Sequence, residues 1–168
     1  MPSFCYQDCE LHYQRRSPAM APSENGRDQT LIFLHGLGAD CEQALTLCAD
    51  LNHVQVISID MPGHGHSLCS EKETFSFHFF AEVVLALMDK LELSSAVLGG
   101  ISMGAGTSLQ VAMRWPQRVE GLLLQRPAWL NASALAHLDI VASTGLWIDA
   151  GGLEHAKQQL DVHDHLRD

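Results

Sequence analysis

Three apolar runs, Thr30–Leu34, Val54–Ile59 and Ser95–Leu98, punctuate the chain, and each stops at a polar or small residue: His35, Asp60 and Gly99. None alternates apolar with polar positions, as a strand wet on one face would, so all three predict buried parallel strands. The segments between and after them carry helical periodicity. Glu42–Leu51 predicts one helix and Phe75–Leu91 a second, with Phe80, Val83, Val84, Leu87, Met88 and Leu91 recurring at three- and four-residue spacing; Ala105–Arg114 predicts a third, stopped by Pro116. Val119–Gln125 then supplies a further strand. Alternation of strand and helix defines the α/β class: a mostly parallel sheet, joined by right-handed crossovers, with helices on both faces.

The two ends read differently. Ser3–Gln7 and Cys9–Gln14 predict an N-terminal hairpin, and a loop rich in Pro, Ser and Gly follows from Ser17 to Asp28. From Pro127 onward two helix-like pieces, Ala132–Val141 and Leu153–Leu160, are separated by Gly145, Gly151 and Gly152, and no convincing buried strand follows Gln125. The expected organisation is a core over residues 1–130 and a partial helical, cap-like segment over 131–168.

Composition narrows the class. The 168 residues are 46% hydrophobic and 18% charged, which describes a folded chain with a sizeable core rather than a disordered one. A formal net charge of −10, without clustered Lys or Arg, argues against nucleic acid and anionic membrane as partners. The five cysteines, Cys5, Cys9, Cys41, Cys48 and Cys69, are odd in number and form no C-x-x-C pair, so neither a disulfide framework nor a zinc knuckle is signalled. With Asp8 and Glu10 near the N-terminus and no bilayer-length apolar run, the expectation is a cytoplasmic protein with reduced thiols. The glycosylation sequon Asn131-Ala132-Ser133 is then accidental.

Candidate chemistry sits where the strands end. Open α/β sheets bind ligands at the carboxyl ends of their parallel strands, and three glycine-containing turns fall there. His35-Gly36-Leu37-Gly38 follows the first apolar run and lets backbone approach a substrate oxygen. Asp60-Met61-Pro62-Gly63-His64-Gly65-His66-Ser67 follows the second, with Pro and Gly specifying a tight turn. Gly100-Ile101-Ser102-Met103-Gly104 follows the third as a G-x-S-x-G nucleophile elbow, in which bulky side chains flanking the serine would collide in the strand-to-helix turn.

In this order and spacing the three motifs resemble the α/β-hydrolase superfamily, in its branch of esterases, lactonases, haloperoxidases and peptidases. The resemblance runs from about Cys9 to Trp129. It implies Ser102 as nucleophile and the backbone N–H groups of Leu37 and Met103 as an oxyanion hole, with His35, Gly36, Gly100 and Gly104 supporting the elbow and its neighbouring turn. A small-molecule ester, thioester or lactone would be the substrate, and no cofactor is implied.

Other polar residues read more plainly as structure. Asp60 and Ser67 are turn-fixing hydrogen bonders, and His64, His66 and Cys69 lack the further ligands that a metal centre needs, so no metal is expected. Phe75, Phe77, Phe79 and Phe80 read as core and pocket wall.

The resemblance also implies a triad acid and histidine later in the chain. Gln125-Arg126-Pro127-Ala128-Trp129 holds no carboxylate, and the late candidates Asp139, Asp149, His155, His163 and His165 lie on helix-like or terminal polar segments. The fold's last two strands are expected to be missing, leaving Val119–Gln125 as an apolar edge open to self-association. Two readings follow: a serine hydrolase acting through an acyl-Ser102 intermediate but short of its acid and base, or a non-catalytic binding module or fragment with a vestigial hydrolase fold.

Overall fold

The computed structural model describes residues 2–19, 29–70 and 75–127, with further helical positions at 146, 149–152, 154–155 and 157–159. Its elements run β1 (Ser3–Tyr6), β2 (Cys9–Arg16), β3 (Thr30–Leu34), α1 (Cys41–Leu47), β4 (Gln55–Ile59), β5 (Leu68–Cys69), α2 (Phe77–Lys90), β6 (Ala96–Ile101), α3 (Met103–Arg114), a 3-10 turn (Pro116–Arg118) and β7 (Val119–Gln125). Contacts divide the chain into Met1–Leu130 and Asn131–Asp168. The expected helix Ala132–Val141 lies outside the described residues, whereas the described positions between 153 and 160 are helical.

One seven-stranded sheet has the order β1-β2-β4-β3-β6-β7, with β5 added against β2. The β4-β3, β3-β6 and β6-β7 pairs are parallel; β2 pairs antiparallel with β1, β4 and β5. This is the mixed, mostly parallel sheet that the strand–helix alternation predicts. Successive strand side chains point to opposite faces, and the buried strands use both. Ile32, Leu34, Ile57, Ile59 and Leu98 pack under the buried face of α2 and under Met103 and Val111 of α3. Leu31, Phe33 and Val56 point the other way and meet Ala44 and Cys48 beside α1.

Local signals set the helix starts. Asp40 caps α1 by accepting the Glu42 N–H at 2.9 Å, and Ser76 caps α2 by accepting the Phe79 N–H at 3.1 Å. The helix expected over Glu42–Leu51 ends earlier, at Leu47, where the Cys48 N–H reaches back to Ala44 O and the chain turns. Strand β5 was not foreseen: two residues carry no periodicity of their own, and they become a strand only because β2 offers a paired edge.

That pairing corrects the expectation of reduced thiols. Cys9 and Cys69 are register partners on β2 and β5, and their sulfurs form a disulfide across a sequence separation of 60. An odd cysteine count cannot reveal this, because it leaves Cys5, Cys41 and Cys48 free while two distant cysteines meet through the sheet. Among the described residues no helix is long and apolar enough to cross a membrane.

Candidate active site

Ser102 stands between the end of β6 and the first residue of α3, with φ 53° and ψ −111°. A left-handed φ is costly for a non-glycine residue, on the order of 1–3 kcal/mol, and persists only where the surroundings over-determine it. Here they do. The Ser102 N–H donates to Gln125 O on β7 at 3.0 Å, and Ser102 O accepts from the Gly106 N–H at 3.1 Å. Its side chain makes no capping bond, and among the described residues the hydroxyl of this helix-capping residue has no hydrogen bond.

The flanking glycines are needed for space rather than for unusual dihedrals. A Cβ on Gly100 would lie 2.5 Å from the Gly104 carbonyl carbon and 2.8 Å from Leu34 O; one on Gly104 would enter the Leu34 and His35 backbone. The first turn of α3 therefore rests directly on the end of β3. Ser108 locks the same junction, its hydroxyl lying 2.9 Å from both Gly99 O and Gly104 O. Because Met103 opens α3, its N–H belongs to the first-turn donors that have no carbonyl four residues back.

The turn after β3 meets this corner. Gly36 O accepts the Ala39 N–H at 3.2 Å, and Gly38 has φ +75°, the left-handed backbone that the third position of a type II turn requires. Gly36 O also receives His35 Nδ1–H at 2.7 Å, while His35 Nε2 accepts the Met61 N–H at 2.9 Å. Both ring nitrogens are thus committed to backbone. Burial, outweighing the bond to Gly36 and assisted by nearby His64, holds the His35 pKa below its ordinary value and keeps the ring neutral. His35 is a brace, not a base.

Asp60 braces the second turn in the same manner. Its carboxylate accepts the Cys41 N–H at 2.7 Å and the His66 N–H at 2.9 Å, and a Cβ on Gly65 would strike it. Burial works to raise its pKa but is outweighed by hydrogen bonds from the Cys41 thiol and from the His66 and Cys41 amides, so the group stays ionised below the usual carboxylate value. Burial in turn pushes the Cys41 thiol up, with Asp60 adding to it. Ser67 closes the loop by donating to Asp60 O at 2.5 Å and accepting the His12 N–H at 2.9 Å. The H-x-H-x-x-C residues are otherwise engaged: His64 Nδ1 lies 3.0 Å from Pro62 O, His66 Nδ1 3.5 Å from Asp60, and Cys69 is in the disulfide.

The structure thus brings the elbow and the His35–Gly38 turn to one corner of the sheet. Among the described residues no imidazole hydrogen-bonds the Ser102 hydroxyl, and His35, though at this corner, has both ring nitrogens committed to backbone. Asp149 and His155 lie at helical positions of the second unit, and Asp139, His163 and His165 are outside the described residues. Of the aromatic cluster, Phe79 and Phe80 are buried, while Phe75 is half-exposed and covers Gly63. Sequence reasoning missed Gln43, whose Oε1 accepts the Gly36 N–H at 2.9 Å. Nothing local announces it, because it depends on where α1 docks.

A family model for the α/β hydrolase fold matches residues 29–150, and the chain belongs to that family. It is 39% identical over 105 residues to the dihydrolipoyllysine-residue acetyltransferase component of an acetoin cleaving system from Pseudomonas putida, covering 60% of this chain and 27% of that protein. Among solved structures, the enol-lactonase of Burkholderia xenovorans LB400 superposes with a TM-score of 0.60 at 30% identity, covering 72% of this chain and 45% of that one. The meta-cleavage product hydrolase of Pseudomonas fluorescens IP01 shares the fold, with a TM-score of 0.71 at 22% identity, over 85% of this chain and 51% of its own. The chain therefore spans about half or less of the length of these relatives.

Proposed function

We propose that this chain carries the nucleophile and oxyanion-hole half of a serine hydrolase acting on a small carboxylic ester, thioester or lactone. The observation that carries the reading is the strained Ser102, its hydroxyl making no helix-capping bond, held at the N-terminus of α3 beside the type II turn. Ser102 Oγ attacks the substrate carbonyl, and the carbonyl oxygen, now an anion, receives the N–H groups of Met103 and Leu37. One such donor is typically worth about 2.7–4 kcal/mol of barrier. The alcohol, thiol or lactone oxygen leaves, and water then releases the acyl group from Ser102. The 30% identity to an enol-lactonase supports a cyclic or simple ester over an amide.

The serine proton needs an acceptor, and the described residues place no imidazole on Ser102. That observation favours the second reading, a vestigial fold that binds without turnover. A fluorophosphonate probe separates the two. Labelling of the wild type that disappears in Ser102→Ala is expected of a hydrolase; a folded wild type that stays unlabelled overturns that reading in favour of the binding module.

A further inference from the structure

The oxyanion turn is fixed through two successive peptide planes, and the two are held by different parts of the molecule. The Gly36–Leu37 plane is held through its carbonyl, which takes both His35 Nδ1–H and the Ala39 N–H. No peptide bond among the described residues is cis, so the Leu37 N–H on that plane points opposite to the captured carbonyl, away from His35. The His35–Gly36 plane is held through the Gly36 N–H, and the acceptor is Gln43 Oε1 at 2.9 Å, on the first turn of α1. Gly36 itself is buried, so without Gln43 its N–H would face a cost rather than an equivalent bond to bulk water.

We propose that Gln43 is a positioning residue for the oxyanion hole: by holding the Gly36 N–H it fixes the rotation of the turn and so the aim of the Leu37 N–H at the oxygen above Ser102. This deepens the hydrolase reading and rests on it. Gln43 touches no substrate atom. It acts through Gly36, and it ties the site to α1, whose start is fixed independently by the Asp40 cap and by the bond from the Cys41 N–H to Asp60. A Cβ on Gly36 would sit 3.5 Å from Gln43 Oε1, an ordinary contact, so glycine is not what this bond requires; the acceptor is.

Two measurements on the full chain decide it. Amide hydrogen exchange, read by NMR, is expected to show the Gly36 N–H protected in the wild type and exchanging about tenfold faster or more in Gln43→Ala, as loss of one buried bond predicts. Ile32 and Leu98 should be unchanged, and Gln43→Glu, which retains an acceptor oxygen, should restore protection. Fluorophosphonate labelling of Ser102 should fall in Gln43→Ala through its maximal rate, with the half-saturating probe concentration unmoved, a split that general loosening of the fold would not give. A Gly36 exchange rate in Gln43→Ala within twofold of wild type overturns the proposal, as does an unchanged maximal labelling rate in a wild type that labels. If the wild type does not label, the hydrolase reading fails, and the exchange result alone still decides whether Gln43 holds the turn.

Discussion

Leu98 and Leu122 are register partners on adjacent parallel strands, yet Leu98 is 0% exposed and Leu122 is 41% exposed. Leu98 has β3 on its other side and helices over its face; Leu122 has β6 on one side, and among the described residues nothing on the other. The same contrast separates the two margins of the sheet. On the β2 side the hairpin, β5 and the Cys9–Cys69 disulfide close it, and Cys9, Leu11 and Tyr13 are buried. At β7 consecutive leucines face both ways, with Leu123 43% exposed beside Leu122. Burial here is a property of neighbours, not of residue type. The lesson for the site is that Ser102 is braced from its β3 side by glycine-to-backbone contact, and from its β7 side by one hydrogen bond to Gln125.

The largest effect is expected from opening the closed margin. Reducing the disulfide, or replacing Cys69 by Ser, removes a cross-link over 60 residues, and on the chain-entropy account this costs about 4 kcal/mol. Thermal or denaturant midpoints with and without a phosphine reductant would read it; unchanged midpoints would mean the margin is closed by pairing alone.

The leucine pair sharpens the contrast directly. Leu98→Ala should destabilise by about 3 kcal/mol through the cavity it leaves, and Leu122→Ala by about 1 kcal/mol or less. Equal losses in denaturant titrations would show that β7 is as well covered as β6.

The closed side should also carry the pH dependence. His35 is folded as a neutral ring with its pKa lowered, so below 6.5 the unfolded chain binds a proton that the folded chain refuses. Stability then rises with pH up to that value and falls on acidification. Asp60, with its folded pKa depressed below 3.8, adds stability above that value, lost as pH falls through the folded pKa. Denaturation between pH 7 and 5 should show a slope in the wild type that His35→Gln flattens; an identical slope in both would assign it elsewhere.

The smallest change in stability is expected at the open margin. We propose that β7 pairs with a second copy of the chain, since among the described residues no strand pairs with its outer edge and Leu122 and Leu123 on it are exposed. Leu123→Lys should then suppress concentration-dependent association in sedimentation while shifting stability by about 0.5 kcal/mol or less. Association that persists in this variant would remove β7 as the surface.

Most of the α/β core was legible in the chain. The continuous runs at Thr30–Leu34 and Val54–Ile59 became β3 and β4 nearly to the residue, because burial on both faces keeps most of their positions apolar. Of the candidate site, Ser102 and its glycines were legible because a tight turn permits few residue types. Gln43 and the Cys9–Cys69 bond were not: each joins residues that meet only after strands and helices dock.

The sequence by itself determined the alternation of parallel strands and helices in the core and the three glycine turns that follow the strands, since each depends on local sterics and hydrophobic period. Only the tertiary structure decided that His35 is a neutral brace with both nitrogens occupied, that Asp60 stays ionised under cover, and that Gln43 accepts the Gly36 N–H. Those roles depend on which groups face one another across the fold, and distance through space is not written in distance along the chain.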